Sequence, residues 1–345
     1  MRINLIPKKE GFVFPAEWEK HRATWVSLPL NDESWPGRMK AVYHTFFQFI
    51  RVISLSESVA INVHDDRMSS FVMENAEKYH IDASRLELYL HPTNDCWTRD
   101  HGPAFLKGRD GKKLIVNWEF NAWGEKYAFE LDNLIPAKIG DALKLPVLNT
   151  NIVMEGGALE FNGAGTVMTT RSCLLNDNRN PGLQASGIET YLMNYYGVEQ
   201  VLWLENGIIG DDTDGHIDNL ARFVSRDTVL MALEQNRWDP NYITLKTNRN
   251  LVSGYRLPDG KQLNIIDLPM PPPVYLNQHR LPASYVNFYI TNAHVVVPVF
   301  QVKTDEEALE IIQYCFPDRK IIGIDANVLI HGLGGFHCLC QQEPV

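Results

Sequence analysis

Residues 157–175, GALEFNGAGTVMTTRSCLL, hold two short strand-forming runs on either side of an Asn-Gly turn, the signature of a β-hairpin. Three further stretches repeat the layout: PAFLKGRDGKKLIVNWEF (103–120), DNLARFVSRDTVLMAL (218–233) and YVNFYITNAHVVVPVF (285–300). Their starts lie about 54 to 67 residues apart, a regularity that signals an internal structural repeat. Segments with helical apolar spacing come next, as in NLIPAKIGDALK (133–144), GIETYLMNYYG (187–197) and DEEALEIIQYCF (305–316). Short strands such as QVLWL (200–204) and KIIGI (320–324) follow. Each unit therefore reads strand, strand, helix, strand, and a fifth, more divergent unit is expected from Ala23 in ATWVSLP. Antiparallel hairpins interrupt any continuous parallel βαβ pattern. The expected fold is α/β, a closed propeller of α/β blades rather than a doubly wound sheet. No linker divides the chain, so residues 1–345 are expected to form one domain, with the proline-rich stretch 268–282 as an extended surface connection.

The 345 residues suffice to bury a large core. A formal net charge of -10 argues against a nucleic-acid surface, which needs clustered Lys and Arg, and favours the approach of small cations. No apolar run is long enough for a signal peptide or a membrane span, so a cytoplasmic protein without membrane partners is expected. The five cysteines are odd in number and scattered, which predicts reduced thiols.

The chemistry-bearing residues share one position in the repeat. Asp100 follows the strand LELYL (86–90), Glu155 follows the apolar run NIVM (151–154), His216 and Asp218 follow QVLWL, and Cys338 follows KIIGI and NVLI. In a radial fold such equivalent segments converge on the axis. Together they offer a nucleophile, an acid/base and three carboxylates. A flat guanidinium would need this set: carboxylates to receive its N–H fork and a thiolate to attack its central carbon. Each residue also has a plain structural explanation. Cys338 could be a buried strand cysteine, Asp100 a surface turn, Glu155 a hairpin entry, and the acidic stretch 211–218 a solvated loop. Alternation along HCLCQQ puts His337 on the face opposite Cys338, making it a poor base for that thiol. Walker A, Rossmann, C-x-x-C and H-E-x-x-H patterns are missing. His216 and Asp218 with His294, His331 or His337 have the ligand types of a non-haem iron facial triad, leaving an iron oxygenase as an alternative.

PAEWEKHRATWVSLP (15–29), TNDCWTRDHGP (93–103), FNAWGEKY (120–127), EGGALEFNGAGT (155–166), GDDTDGHIDN (210–219), LPASYVNFYITN (281–292) and GGFHC (334–338) occur in the order found in the agmatine deiminase and bacterial peptidylarginine deiminase family. The chain resembles that family from end to end. The resemblance implies a five-bladed α/β propeller without metal or organic cofactor. Carried over by motif, Cys338 is the nucleophile, a protonated His216 the acid/base, and Asp100 and Asp218 the carboxylates that grip the guanidinium. Glu155 would orient or charge-balance His216. Trp97, Asn292 and Trp123 would line the pocket, with Asp214 adding to its negative charge. The family often reads GGGNIHC where this chain has GLGGFHC, and a hydroxyl residue where it has Cys340. The implied partner is a small cationic guanidino compound: agmatine, hydrolysed to N-carbamoylputrescine and ammonia, with free or peptidyl arginine as the alternative. A non-catalytic guanidinium binder and a homo-oligomer are left open.

Overall fold

The computed structural model describes residues 5–345. Five separate sheets share one plan: an antiparallel pair whose second strand continues through a helix to a parallel neighbour. The pairs Ala104–Lys107 with Lys113–Glu119, Glu160–Phe161 with Thr166–Thr170, Ala221–Phe223 with Thr228–Leu233, and Tyr289–Ile290 with His294–Val299 are the four expected hairpins. Their third strands are Val147–Val153, Gln200–Leu204, Asn264–Pro269 and Lys320–Asp325. Between second and third strands lie helices Ile135–Leu143, Ala185–Tyr196, Asn241–Gly254 and Thr304–Cys315.

The divergent unit departs from expectation at both ends. Its strand His21–Ser27 takes its antiparallel partner from Cys340–Pro344 at the far end of the chain. It then continues through helix Met39–Ser54, strand Ser58–Val63, helix Asp66–Lys78 and a fourth strand, Leu86–Leu90. The segment 268–282 is also not wholly extended. Tyr275–Leu276 and His279–Arg280 pair as a small hairpin, turned by Asn277 and Gln278 at positive φ.

The helices show why the units pack. In Met39–Ser54, Val42, Phe46, Phe49, Ile50 and Ile53 fall on one face at helical spacing and are all buried. Each such side chain contributes roughly 1.5–3 kcal/mol by leaving water. Counting sheets in chain order from the one holding His21–Ser27, that face meets the strands of its own sheet and those of the fifth, while helix Thr304–Cys315 touches the fourth and fifth sheets and helix Asn241–Gly254 the third and fourth. Asp65 caps helix Asp66–Lys78 by accepting from Met68 N at 2.8 Å, and Gly197 ends helix Ala185–Tyr196 in the left-handed conformation. Among the described residues, no helix is long and apolar enough to cross a membrane.

Candidate active site

Each sheet hands the chain to the next through a connection that ends buried, and these five ends meet. The first carries Trp97 and Asp100 on the short helix Thr98–His101, tied to the last connection by Arg99 N donating to Cys338 O at 3.1 Å. In the second, Glu155 precedes the tight turn Gly156–Ala158. The third turns sharply through Asp214 and Gly215, both at positive φ, to present His216 and Asp218. The fourth brings Asn287 and the fifth Cys338, each two residues before its strand.

Cys338 Sγ accepts from Asn287 Nδ2 at 3.2 Å and lies 3.6 Å from Asp218 Oδ2. Asp100 Oδ1 accepts from Gly157 N at 2.9 Å and Oδ2 from Trp123 Nε1 at 3.0 Å, with His216 Nδ1 3.7 Å from Oδ1. Gly157 makes this approach possible, since a Cβ there would sit 2.6 Å from both Asp100 Oδ1 and His216 Nδ1. Gly334 does the same for Trp97, whose ring would be 2.3 Å from an added Cβ. Ala122, Trp123 and Glu125 all hold left-handed φ values, so the turn that aims the Trp123 indole at Asp100 is strained.

Asp218 Oδ1 and His216 Nε2 are buried without a hydrogen-bond partner among the described residues. Among the described residues, neither Asp100 nor Asp218 has an Arg or Lys within ion-pair reach. Burial, reinforced by Glu155, pushes Asp100 up to about 7. Burial and the charge of Asp100 drive Asp218 well above the carboxylate range, and burial with Asp218 and Asp100 raises the Cys338 thiol. Burial, with Arg179 nearby, holds His216 well below the usual histidine range, so the empty site has a neutral imidazole where a protonated one is expected. Trp97, Asp100, Trp123, Thr213, Gly334 and Cys338 line the inner part of a cleft of about 170 Å³. Glu33, Asp95 and Asp212 line its more exposed part.

Three expected roles are not met as stated. Asn292 lies elsewhere, donating to His21 O at 3.0 Å and receiving His21 N at 2.9 Å. Asn287, five residues earlier, is the asparagine at the thiol. The repeat itself holds the missed signal, since its fourth connection ends at Asn287. Asp214 turns from the cleft to Arg179 Nη1 at 2.6 Å, and Asp212 takes its place there. Glu155 forms no hydrogen bond to His216; Arg179 Nε claims it at 2.5 Å. Among the described residues the side chains at metal-ligand spacing are Glu155, Cys173 and His216. Arg179 places a fixed positive charge against Glu155 and, at 4.0 Å, against Cys173. The facial-triad pair is not assembled, because Asp218 is outside that group and bonded to His337.

A family model of Porphyromonas-type peptidyl-arginine deiminases matches residues 13–344. A Legionella pneumophila protein, named provisionally as an agmatine deiminase, is 38% identical across 100% of this chain and 98% of its own. The structure of the Enterococcus faecalis agmatine deiminase is similar with a TM-score of 0.92 at 30% identity, covering 99% of this chain and 98% of that one. A cysteine-to-serine variant of the C. jejuni agmatine deiminase, with substrate bound, aligns with a TM-score of 0.87 at 31% identity over 96% of each chain.

Proposed function

The chain belongs to the Porphyromonas-type peptidyl-arginine deiminase family, and from that premise we propose that it is an agmatine deiminase. It hydrolyses a guanidino C–N bond, giving N-carbamoylputrescine and ammonia. One observation carries the reading: two buried carboxylates, paired with no Arg or Lys among the described residues, flank a buried thiol. A site that takes Asp100 and Asp218 out of water without a counter-ion is incomplete until a cation arrives.

Guanidinium binding at Asp218 Oδ1 and beside Asp100 favours their charged forms and draws the thiol of Cys338 toward ionisation, its proton passing to neutral His216. The thiolate attacks the guanidinium carbon. Imidazolium His216 returns the proton to a terminal nitrogen, which leaves as ammonia and gives a thiouronium on Cys338. Neutral His216 then deprotonates a water that attacks the same carbon, and collapse releases the ureido product and the thiol. Asn287, donating to Sγ, steadies the developing thiolate.

Agmatine is favoured over arginine by what surrounds its tail. Glu33, Asp95 and Asp212 offer negative charge to an ammonium. Four basic groups near the cleft are already engaged: Arg99 with Glu17, Arg222 with Glu17 and Glu160, Arg179 with Glu155 and Asp214, and Lys126 with Asp212 and Asp214. An arginine carboxylate would be desolvated among acids. Five repeated sheets, with the fifth packed against the first, support a single five-bladed α/β propeller, and five free cysteines fit a reducing cytoplasmic setting. Ammonia release measured side by side on agmatine, arginine and an arginine peptide tests the assignment. Turnover of none of the three would sink it.

A further inference from the structure

His337 lies behind the nucleophile, fully buried, and its ring joins two carboxylates. Nδ1 is 2.8 Å from Asp218 Oδ2 and Nε2 is 2.9 Å from Glu17 Oε2. A neutral imidazole has one N–H, so it can donate to one of two ionised carboxylates, and its other nitrogen would meet the second lone pair to lone pair. Both contacts are satisfied only if the trio holds one more proton. Glu17 is not its holder, because Glu17 accepts from Arg99 at 3.1 Å and Ile290 N at 2.9 Å and pairs with Arg222 at 2.8 Å. Those charges, with His337 itself, keep it well below the carboxylate range despite burial. Asp218 has no such support. Its Oδ1 is buried with no partner among the described residues, and its Oδ2 meets only His337 and the Cys338 thiol.

We propose that His337 is a positioning residue that acts through Asp218: it accepts the Asp218 carboxyl proton when a guanidinium docks on Oδ1. In the empty site, Asp218 Oδ2–H donates to Nδ1 and Nε2–H donates to ionised Glu17. On docking, the proton moves from Oδ2 to Nδ1, leaving a carboxylate against the guanidinium and an imidazolium held between Asp218 and Glu17. No proton enters or leaves the protein in that step. The groups facing His337 are Asp218 from the third connection, Glu17 from the N-terminal segment, Arg99 from the first connection, Arg222 with Glu160 behind it, and its chain neighbours Cys338 and Cys340. Burial and the two arginines make His337 a weak base in the empty site, so the transfer waits for the incoming charge.

The inference rests on Asp218 receiving a guanidinium, and wild-type turnover of agmatine is the control for that premise. His337→Gln keeps one donor and one acceptor but cannot take the proton. At pH 7 it should lose about 100-fold in kcat/KM, mainly through KM, with most of the loss recovered by pH 9 and the thermal midpoint nearly unchanged. A wild-type profile, or a loss equal at every pH, would overturn the relay while active wild-type enzyme leaves the deiminase assignment standing. If His337→Gln does not fold, 15N spectra of the Cys338→Ala protein decide. His337 should show one unprotonated nitrogen alone and two protonated nitrogens with agmatine bound. Two protonated nitrogens before binding, or no change on binding, would refute the transfer.

Discussion

Glu17 and Asp218 are two buried carboxylates on either side of one imidazole, and they differ in everything else. Glu17 is met by Arg99, Arg222 and a backbone N–H and is held ionised. Asp218 is met by no base stronger than His337, and burial drives it toward its neutral form. The contrast extends outward. Glu160 and Glu155 have arginines at 2.8 and 2.5 Å, whereas Asp100 has an indole and a glycine N–H. One layer of buried acids is finished as built, while the other lacks its cation. In a folded protein, the unfinished layer marks where a positively charged ligand belongs.

The comparison breaks most severely at the nucleophile beside the unfinished layer. Cys338→Ala should lower kcat/KM roughly 10⁵-fold in an ammonia assay, while Cys340→Ala, whose thiol points to Phe336 O and His337 O, should retain most of it. Equal loss in both folded variants would erase the distinction. Next come the acids themselves. Asp218→Asn should cost about 10³-fold, by removing a charge-assisted grip, with little thermal effect. Glu160→Gln, in the finished layer, should instead lower stability by about 1–3 kcal/mol and leave KM near wild type. If denaturation and kinetics show the reverse, the two layers have been misassigned.

Agmatine should exceed arginine about 100-fold in kcat/KM, a difference of roughly 3 kcal/mol at the tail. Comparable values would show that a basic group is freed to meet the carboxylate. The pH response should be smaller. Asp100, raised to about 7, carries its charge only above that value, so kcat/KM should climb about tenfold per unit below pH 7 and flatten above it. The folded protein holds that proton more tightly than the unfolded chain, so Asp100 should also cost stability as pH rises through about 7. A flat profile from pH 5 to 8 would mean that Asp100 is ionised throughout. Smallest of all, Asn292→Ala should stay within about threefold of wild type, against a loss of about 30-fold for Asn287→Ala at the thiol.

Much of this was legible in the chain. The hairpin repeat located the antiparallel pairs of four sheets to within a few residues, and the shared position of Asp100, Glu155, His216 and Cys338 in that repeat anticipated their meeting. What escaped depends on side-chain direction and distant partners. Asn287 and Asn292 sit in one motif, and only the turn before Tyr289–Ile290 decides which faces Cys338. Arg179 comes from a loop that carries no obvious motif, so its capture of both Glu155 and Asp214 could not be read from spacing. The strand alternation expected to set His337 opposite Cys338 does not apply, because the two lie in a turn before the strand and both reach Asp218 Oδ2, and it gave no hint of Glu17 on the other ring nitrogen.

Strand Cys340–Pro344, which locks against His21–Ser27, begins two residues after the thiol. Closing that pairing joins points about 320 residues apart, at an entropic cost on the order of 5 kcal/mol. The strand ladder and the contacts of Glu343 with Arg22, Lys113 and the Trp25 indole offset that cost. Until that pairing forms, the chain has its carboxylates and its imidazole but no nucleophile held among them. Closing this sheet edge and seating the nucleophile are therefore one event, so a copy with the edge open holds no thiol poised for substrate.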